Sequence, residues 1–429
     1  MTSLRLLVLN IFWFLHCAFT ITNADLINRL PGQPSDLNFN QYSGYIVTDD
    51  YHGRAQFYYF VEAQSKNKLS FPLTLWLGGA YGCSSFGVGV FAENGPFRPG
   101  KDGNLTKNDF SWNLASNMLY VDSPIGTSFS YSNSTSDYKH WTDTNTANEN
   151  MKFLLKWFEK FPEYSNLDFY IAGDSYGGHL VPQLATKVLE YNTKPHVRPI
   201  KLKAIAIGNP FLDIRISLSG VENMWHRGMI SEEMVSMQKS VCSMARYYTE
   251  YASGKRTKAC HDMMLKLLQE NGDELDVDDM LMPICLTTDD NSSSSPQHYY
   301  RGGASETSIH DPCIYDNVKA YLTKPDVHRA LHVAPLPFHW DTECTGLANQ
   351  RTPQFEINII PTLSLLLRRH LPVLLYSGDQ DLMVPVAQTR KIAYMLARDL
   401  KLTTLHKNGP WYDGHQVEAR ACYMCPLLG

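Results

Sequence analysis

Residues 170–182 read YIAGDSYGGHLVP, an apolar run that passes directly into Gly173-Asp174-Ser175-Tyr176-Gly177 and then into a helix-like stretch. A serine between glycines at such a junction sits on a sharp strand-to-helix turn that lifts its hydroxyl clear of the backbone. That turn constrains its surroundings, because the strand before it must be buried and the helix after it must pack back on a sheet. The rest of the chain supplies the sheet. LTLWLGG (73–79), SNMLYVDSP (116–124), LDFYIAG (167–173), IKLKAIAIGNP (200–210) and LPVLLYSGD (371–379) are near-continuous apolar runs closed by Gly, Pro, Asp or Ser. Runs of this kind suit strands buried on both faces of a parallel sheet. Helix-like stretches at 144–161 and 178–191 alternate with them, which predicts an α/β fold with a mostly parallel central sheet and helices on both faces. Two strands, around 44–47 and 55–61, precede this core.

The rhythm breaks at about 212–345. This stretch holds most of the cysteines, a helical run at 231–248 and the tract TTDDNSSSSPQ (287–297). It is expected to be an inserted helical cap on a single domain of residues 25–429, with a flexible Ser-rich loop at about 287–305. Residues 1–24 have a positive Arg5, an apolar core and small residues before the expected cleavage point, the pattern of a secretory signal peptide. The expected location is therefore the secretory pathway, secreted or vacuolar. Sequons at Asn104, Asn133 and Asn291 suit a glycoprotein. A formal net charge of −5 without a long basic run argues against nucleic acid as a partner, and no later segment is apolar for long enough to span a membrane. No cofactor or metal is expected. His328 and His332 have i, i+4 spacing but no acidic ligand pattern beside them, and Cys422-x-x-Cys425 lacks a second pair. Homodimerisation is left open.

A serine hydroxyl needs a base to take its proton, and in a fold of this kind an acid and then a histidine follow it in the chain. The acid is expected from YSGDQDLMVP (376–385), where Asp379 and Asp381 both qualify. Backbone N–H groups of Tyr176 and of the loop WLGGAYGCSS (76–85) are candidates for an oxyanion hole. Among the histidines beyond Asp381, His415 in Asp413-Gly414-His415 fits the order, with His406 behind it. His179 lies on the helix after the serine and is expected to pack rather than to act as base.

At these residues the chain resembles the serine carboxypeptidases, and most closely their plant serine carboxypeptidase-like members. LTLWLGGAYGCSSFGVGVFAENGPF, SWNLASNMLYVDSPIGTSFSYSNSTSDY, YIAGDSYGGHLVPQLA, DPCIYDNVKAYLTKPDVHRALH and YSGDQDLMVPVAQTR match that family's landmarks in order, from about residue 28 to 418. The resemblance implies an α/β-hydrolase fold that removes single residues from peptide C-termini. It implies Ser175 as nucleophile, Asp381 as the acid that orients a histidine, and Ala80 and Tyr176 as oxyanion donors. It further implies Gly79, Glu93 and Asp174 in recognition of the substrate carboxylate, and disulfides Cys83–Cys344, Cys242–Cys260 and Cys285–Cys313.

Three departures qualify the resemblance. Gly78 stands where the family has Asn, Ala80 and Tyr81 replace Gly and Pro, and Asp174 replaces a Glu before the nucleophile. Asp before the nucleophile together with the lost Asn also resembles the acyltransferase branch, which uses glucose esters. Finally, the family's Gly-Ala-Gly-His segment is not found, and EARACYMCPLLG after Val417 resembles nothing in the family. The resemblance thus implies a C-terminally truncated or altered member with impaired catalysis, or a non-catalytic relative that binds peptide C-termini. A sheet edge and apolar surface are expected to lie exposed where the last strand and helix of the family would pack.

Overall fold

The computed structural model describes residues 24–79, 84–139, 141–218, 220–271, 278–283, 285, 311–335 and 358–426. The expected signal peptide up to residue 23, Ala80, the Cys83–Cys344 pair, Asn291 and the Ser-rich loop lie outside them.

A seven-stranded sheet forms the centre, in the order β1-β2-β6-β3-β7-β8-β9. Its strands are β1 (Gln41–Asp49), β2 (Arg54–Val61), β3 (Leu73–Trp76), β6 (Asn117–Val121), β7 (Phe169–Asp174), β8 (Leu202–Gly208) and β9 (Val373–Tyr376). The first two strands pair antiparallel, and β2 pairs antiparallel with β6. From β6 onwards every neighbour is parallel. Side chains of β3 and β6, and of β2 from Ala55 onwards, are buried, which accounts for runs without in–out alternation. A short ribbon pairs β4 (Phe97–Pro99) with β5 (Leu105–Lys107), and a separate hairpin pairs β10 (Leu402–Asp413) with β11 (Gln416–Pro426).

Helices cover both faces. On one, α1 (Asp143–Lys160) and α2 (Gly177–Asn192) bury Leu154, Trp157, Leu180 and Val188 against Leu75, Ile171 and Ile205. The first of these begins at Thr142, whose hydroxyl accepts the Asn145 amide at 3.2 Å, a side-chain cap for an otherwise orphaned donor. On the other face Phe57, Phe86, Phe91 and Tyr120 pack with Tyr321 and Leu331 from the chain after residue 311. The insertion between β8 and β9 contributes α3 (Glu232–Ser240), α4 (Met244–Ala252) and α5 (Lys258–Asn271). The expected single helix at 231–248 is thus two. Ser243 caps the second by accepting the Arg246 amide, and Cys242 beside the break is bonded to Cys260. Cys285 is bonded to Cys313.

The outer edge of β9 has no strand partner among the described residues, and its Leu374 is 57% exposed. Residues of the β10–β11 hairpin, including Trp411, Tyr412 and Tyr423, are likewise exposed. No described helix is long and apolar enough to cross a membrane.

One glycine is fixed by crowding. A Cβ at Gly173, at the end of β7, would collide with the Leu77 carbonyl of the adjoining loop and press on Val181 of α2. Backbone cannot yield as a flexible side chain can, so Gly173→Ala is expected to cost about 3 kcal/mol or more. A fall of several degrees in the thermal midpoint checks this; an unchanged midpoint would contradict the packing described.

Candidate active site

Ser175 stands at the C-terminal end of β7 with φ +45°, a left-handed conformation that costs a non-glycine residue on the order of 1–3 kcal/mol. Surrounding hydrogen bonds hold it there. Its amide donates to the Gly208 carbonyl at 2.9 Å, while its own carbonyl accepts the amides of Phe211 (2.9 Å) and Gly178 (3.0 Å). Tyr176, the next residue, is anchored through its phenol to the Asp143 carboxylate at 2.6 Å and stacks on the ring of His179. His179 is fully buried, with Nδ1 2.7 Å from the Phe211 carbonyl. It packs against the turn, and its contacts are those of a structural residue.

Asp381 follows β9. Its Oδ1 accepts the amides of Met383 (2.7 Å) and Val384 (2.8 Å), and its Oδ2 accepts the side-chain amide of Asn209 at 2.6 Å. Burial raises its pKa above the usual carboxylate value, against the pull of those three donors. Asp379 is exposed, and among the described residues its side chain bonds only its neighbour Gln380. Of the two candidate acids, Asp381 is therefore the one ordered toward the sheet's C-terminal edge. Asn209 was not anticipated from the sequence. It sits just past β8, its Oδ1 accepts the Gly378 amide at 3.1 Å, and it ties the strand beside Ser175 to Asp381.

No histidine is joined to this pair by a hydrogen bond among the described residues. His415 occupies the exposed turn between β10 and β11 and bonds neither Asp381 nor Ser175. His406 is exposed on β10, where its ring meets Tyr423 edge-on. His328 donates from Nε2 to the Leu322 carbonyl at 2.6 Å, and His332 Nδ1 faces the Ser43 carbonyl at 3.2 Å.

Beside the serine lies a group of carboxyls. Glu93 ends a π-helical turn, Gly89–Glu93, and one of its oxygens is shut away from solvent without a hydrogen-bond partner among the described residues. Burial raises its pKa well above normal, and the Asp174 and Asp278 charges raise it further. Asp174 is itself pushed up to about 6, chiefly by burial and secondarily by Asp381, although the Gly79 amide donates to its Oδ1 at 2.7 Å. Arg98 donates to the backbone carbonyl of Glu93 at 2.7 Å, and its charge pulls against the upward shift of the Glu93 carboxyl.

The glycine loop fits around this carboxyl. A Cβ on Gly78 would collide with Asp174 Oδ1 and with Trp76 Nε1, so the absence of a side chain at 78 is what lets Asp174 approach the loop. The adjoining Gly79, at φ +85°, turns its carbonyl to accept the Tyr176 amide at 3.2 Å. The Tyr176 N–H expected to be free for an oxyanion is thus occupied by the chain's own backbone.

Because the folded-state pKa of Asp174 is raised, its contribution to stability is fully present below its ordinary value near 3.8 and lost as pH climbs through about 6. Asp174→Asn is therefore expected to stabilise the protein at pH 7 by roughly 1–3 kcal/mol, with the gain vanishing towards pH 4. Denaturant melts at the two pH values measure this, and an equal effect at both would refute it.

A mostly parallel sheet carrying a strained serine at one strand end, with an acid beyond a later strand, is the arrangement of the α/β-hydrolase fold. The solved structure of Kex1, a prohormone-processing carboxypeptidase from Saccharomyces cerevisiae, shares it. That likeness covers 94% of this chain and 89% of that one with a TM-score of 0.73, and at 21% identity it is a likeness of fold. The chain belongs to the serine carboxypeptidase family, a family of hydrolases, whose sequence model matches residues 31–424. The match runs past Val417, so the family pattern reaches further along β11 than the sequence reading allowed. Serine carboxypeptidase-like 45 and 46 of Arabidopsis thaliana are each 40% identical over 398 residues, covering 92% of this chain and 84% of their own length.

Proposed function

We propose that this protein is a serine-type carboxypeptidase that takes peptide C-termini under acidic conditions and turns them over slowly. The observation that carries this reading is the part-buried pair Glu93 and Asp174, both held above the usual carboxylate range, beside the strained Ser175. A carboxyl group kept protonated donates a hydrogen bond to a substrate carboxylate, and the Gly79 amide adds a second donor once Asp174 is neutral. Ser175 would attack the scissile carbonyl, and Asp381 would orient a base through the geometry that Asn209 now maintains. The oxyanion amides would be those of Tyr176 and Ala80, which requires the substrate oxygen to displace the Gly79 carbonyl from the Tyr176 N–H.

Slow turnover follows from His415. It is the histidine that chain order points to, and it bonds neither the serine nor the acid. Without an engaged base, acylation loses several orders of magnitude while binding survives. The Glu93 and Asp174 pair favours acidic compartments, in keeping with entry into the secretory pathway and with exposed sequon residues Asn104 and Asn133.

A second reading, acyl transfer from glucose esters on the same scaffold, is favoured by Asp174 and Gly78. A third, binding without turnover, is favoured by the closed Tyr176 amide. Incubation with a blocked dipeptide and, separately, with a glucose ester plus an alcohol acceptor separates the three. Hydrolysis of the dipeptide alone is the expected result; transfer from the ester, or neither reaction, would replace the proposal with the second or third reading.

A further inference from the structure

Asp122 is a buried carboxylate with no part in the chemistry above. It follows β6 directly, is fully shielded from solvent, and its described partners are hydroxyls and amides. Its Oδ1 accepts the Ser84 hydroxyl at 2.7 Å and the Phe86 amide at 3.1 Å, its Oδ2 accepts the Phe129 amide at 3.4 Å, and the Ser128 side chain also bonds it. Two loops from different parts of the chain therefore converge on one carboxyl group.

Ser85 lies between the two residues that Asp122 holds on the first loop. Its hydroxyl sits 3.2 Å from both the amide and the carbonyl of Gly78, closing a two-point clamp across seven residues. The next residue, Gly79, then meets Asp174 through its amide and Tyr176 through its carbonyl. Ser84 is braced in turn, because its oxygen accepts the Gly87 amide at 2.6 Å.

We propose that Asp122 is the positioning residue of the glycine loop, setting Ser84 and Phe86 so that Ser85 clamps Gly78 and presents Gly79 to the nucleophile turn. A carboxylate suits the task because it accepts several bonds at once, each stronger than its neutral counterpart. Asparagine has the same shape but turns an NH₂ group toward donors, leaving at least one loop without an acceptor. The role of the loop in substrate binding rests on the function proposed above; the order of the loop does not.

The test uses the full chain in three forms: wild type, Asp122→Asn and Ser85→Ala. Amide hydrogen exchange is followed by mass spectrometry over Gly78–Gly79 and, as a control, over β1 and β2. Both substitutions are expected to speed exchange at Gly78 and Gly79 by ~10-fold or more, leaving residues 41–61 within about twofold of wild type. Dissociation constants for a blocked dipeptide should rise by roughly 5-fold or more in parallel. Unchanged protection at Gly78 and Gly79 in Asp122→Asn overturns the proposal, as does acceleration that is uniform across the sheet. If Asp122→Asn does not fold, Ser85→Ala decides, since it leaves the carboxylate and its bonds in place; normal protection there overturns the clamp. Absence of dipeptide binding in the wild type would defeat the functional reading alone, and the exchange data would still decide this one.

Discussion

Ser175→Ala is expected to remove covalent reactivity altogether, so that a fluorophosphonate that slowly labels the wild type leaves the variant unlabelled. The loss should exceed about 10³-fold, because the neighbouring hydroxyl, the Tyr176 phenol, is tied to Asp143 at 2.6 Å and cannot take the place of the Ser175 oxygen. Binding of a blocked dipeptide should change by less than about threefold, since the carboxyls that recognise its terminus do not depend on the serine oxygen. His415→Ala tests the other half of the mechanism. On the geometry described, that residue lies on an exposed hairpin turn, and its replacement should leave the labelling rate within about twofold of wild type. A large drop would mean that the hairpin moves to deliver His415 as the base, and the assignment of slow turnover would then be wrong.

The second large effect is on pH. Asp174 has a folded-state value near 6, while burial holds Glu93 well above the normal range and so toward its neutral form, so acidification through pH 6 adds a proton on Asp174 beside it. One proton taken up on binding by a group titrating near 6 predicts a loss of affinity of roughly 25-fold for a free-carboxylate dipeptide between pH 5.5 and 7.5. Glu93→Gln with Asp174→Asn should flatten that profile, because neither amide titrates. The variant should bind more weakly than wild type at pH 5.5 and comparably or better at pH 7.5. A profile that keeps its slope in the double variant would assign the titration to another group, of which Asp381 is the nearest in kind.

The parts of this site that were legible in the sequence are those carried by short-range patterns. Ser175 announces itself because strand, turn and helix are contiguous, and each of the parallel strands was read from an unbroken apolar run. The first two strands were visible as runs around 44–47 and 55–61, the second rich in aromatic residues, although their antiparallel pairing was not read from them. What could not be read depends on contacts between distant residues. Asn209 looked like the end of a strand, and only the fold brings it to Asp381 across 172 residues. Asp122 closed another apparent strand, and nothing in SNMLYVDSP distinguishes a solvated turn aspartate from a buried one that gathers two loops. The Tyr176 amide was expected to be free, and its closure depends on the direction of one carbonyl, fixed by the positive φ of Gly79. The break near Val241 was signalled by Ser243, a good helix-capping residue, but the apolar pattern runs through it and argues for one helix.

The exposed edge at β9 has a counterpart in the sequence reading. Leu374 and Tyr376 lie on it, and Tyr376 also packs its ring over Gly208, whose carbonyl holds the Ser175 amide. The edge is therefore continuous with the support of the nucleophile, and changes there should be felt at the turn.

The claim on which the account depends is that the cleft reads a peptide's terminal carboxylate through protonated carboxyls. Titration calorimetry at pH 5 with one blocked dipeptide in two forms, free acid and C-terminal amide, tests it most directly. The account predicts that the acid binds at least about tenfold more tightly than the amide, as expected for a charge-assisted hydrogen bond to a buried donor. Equal affinities, or a preference for the amide, would contradict it.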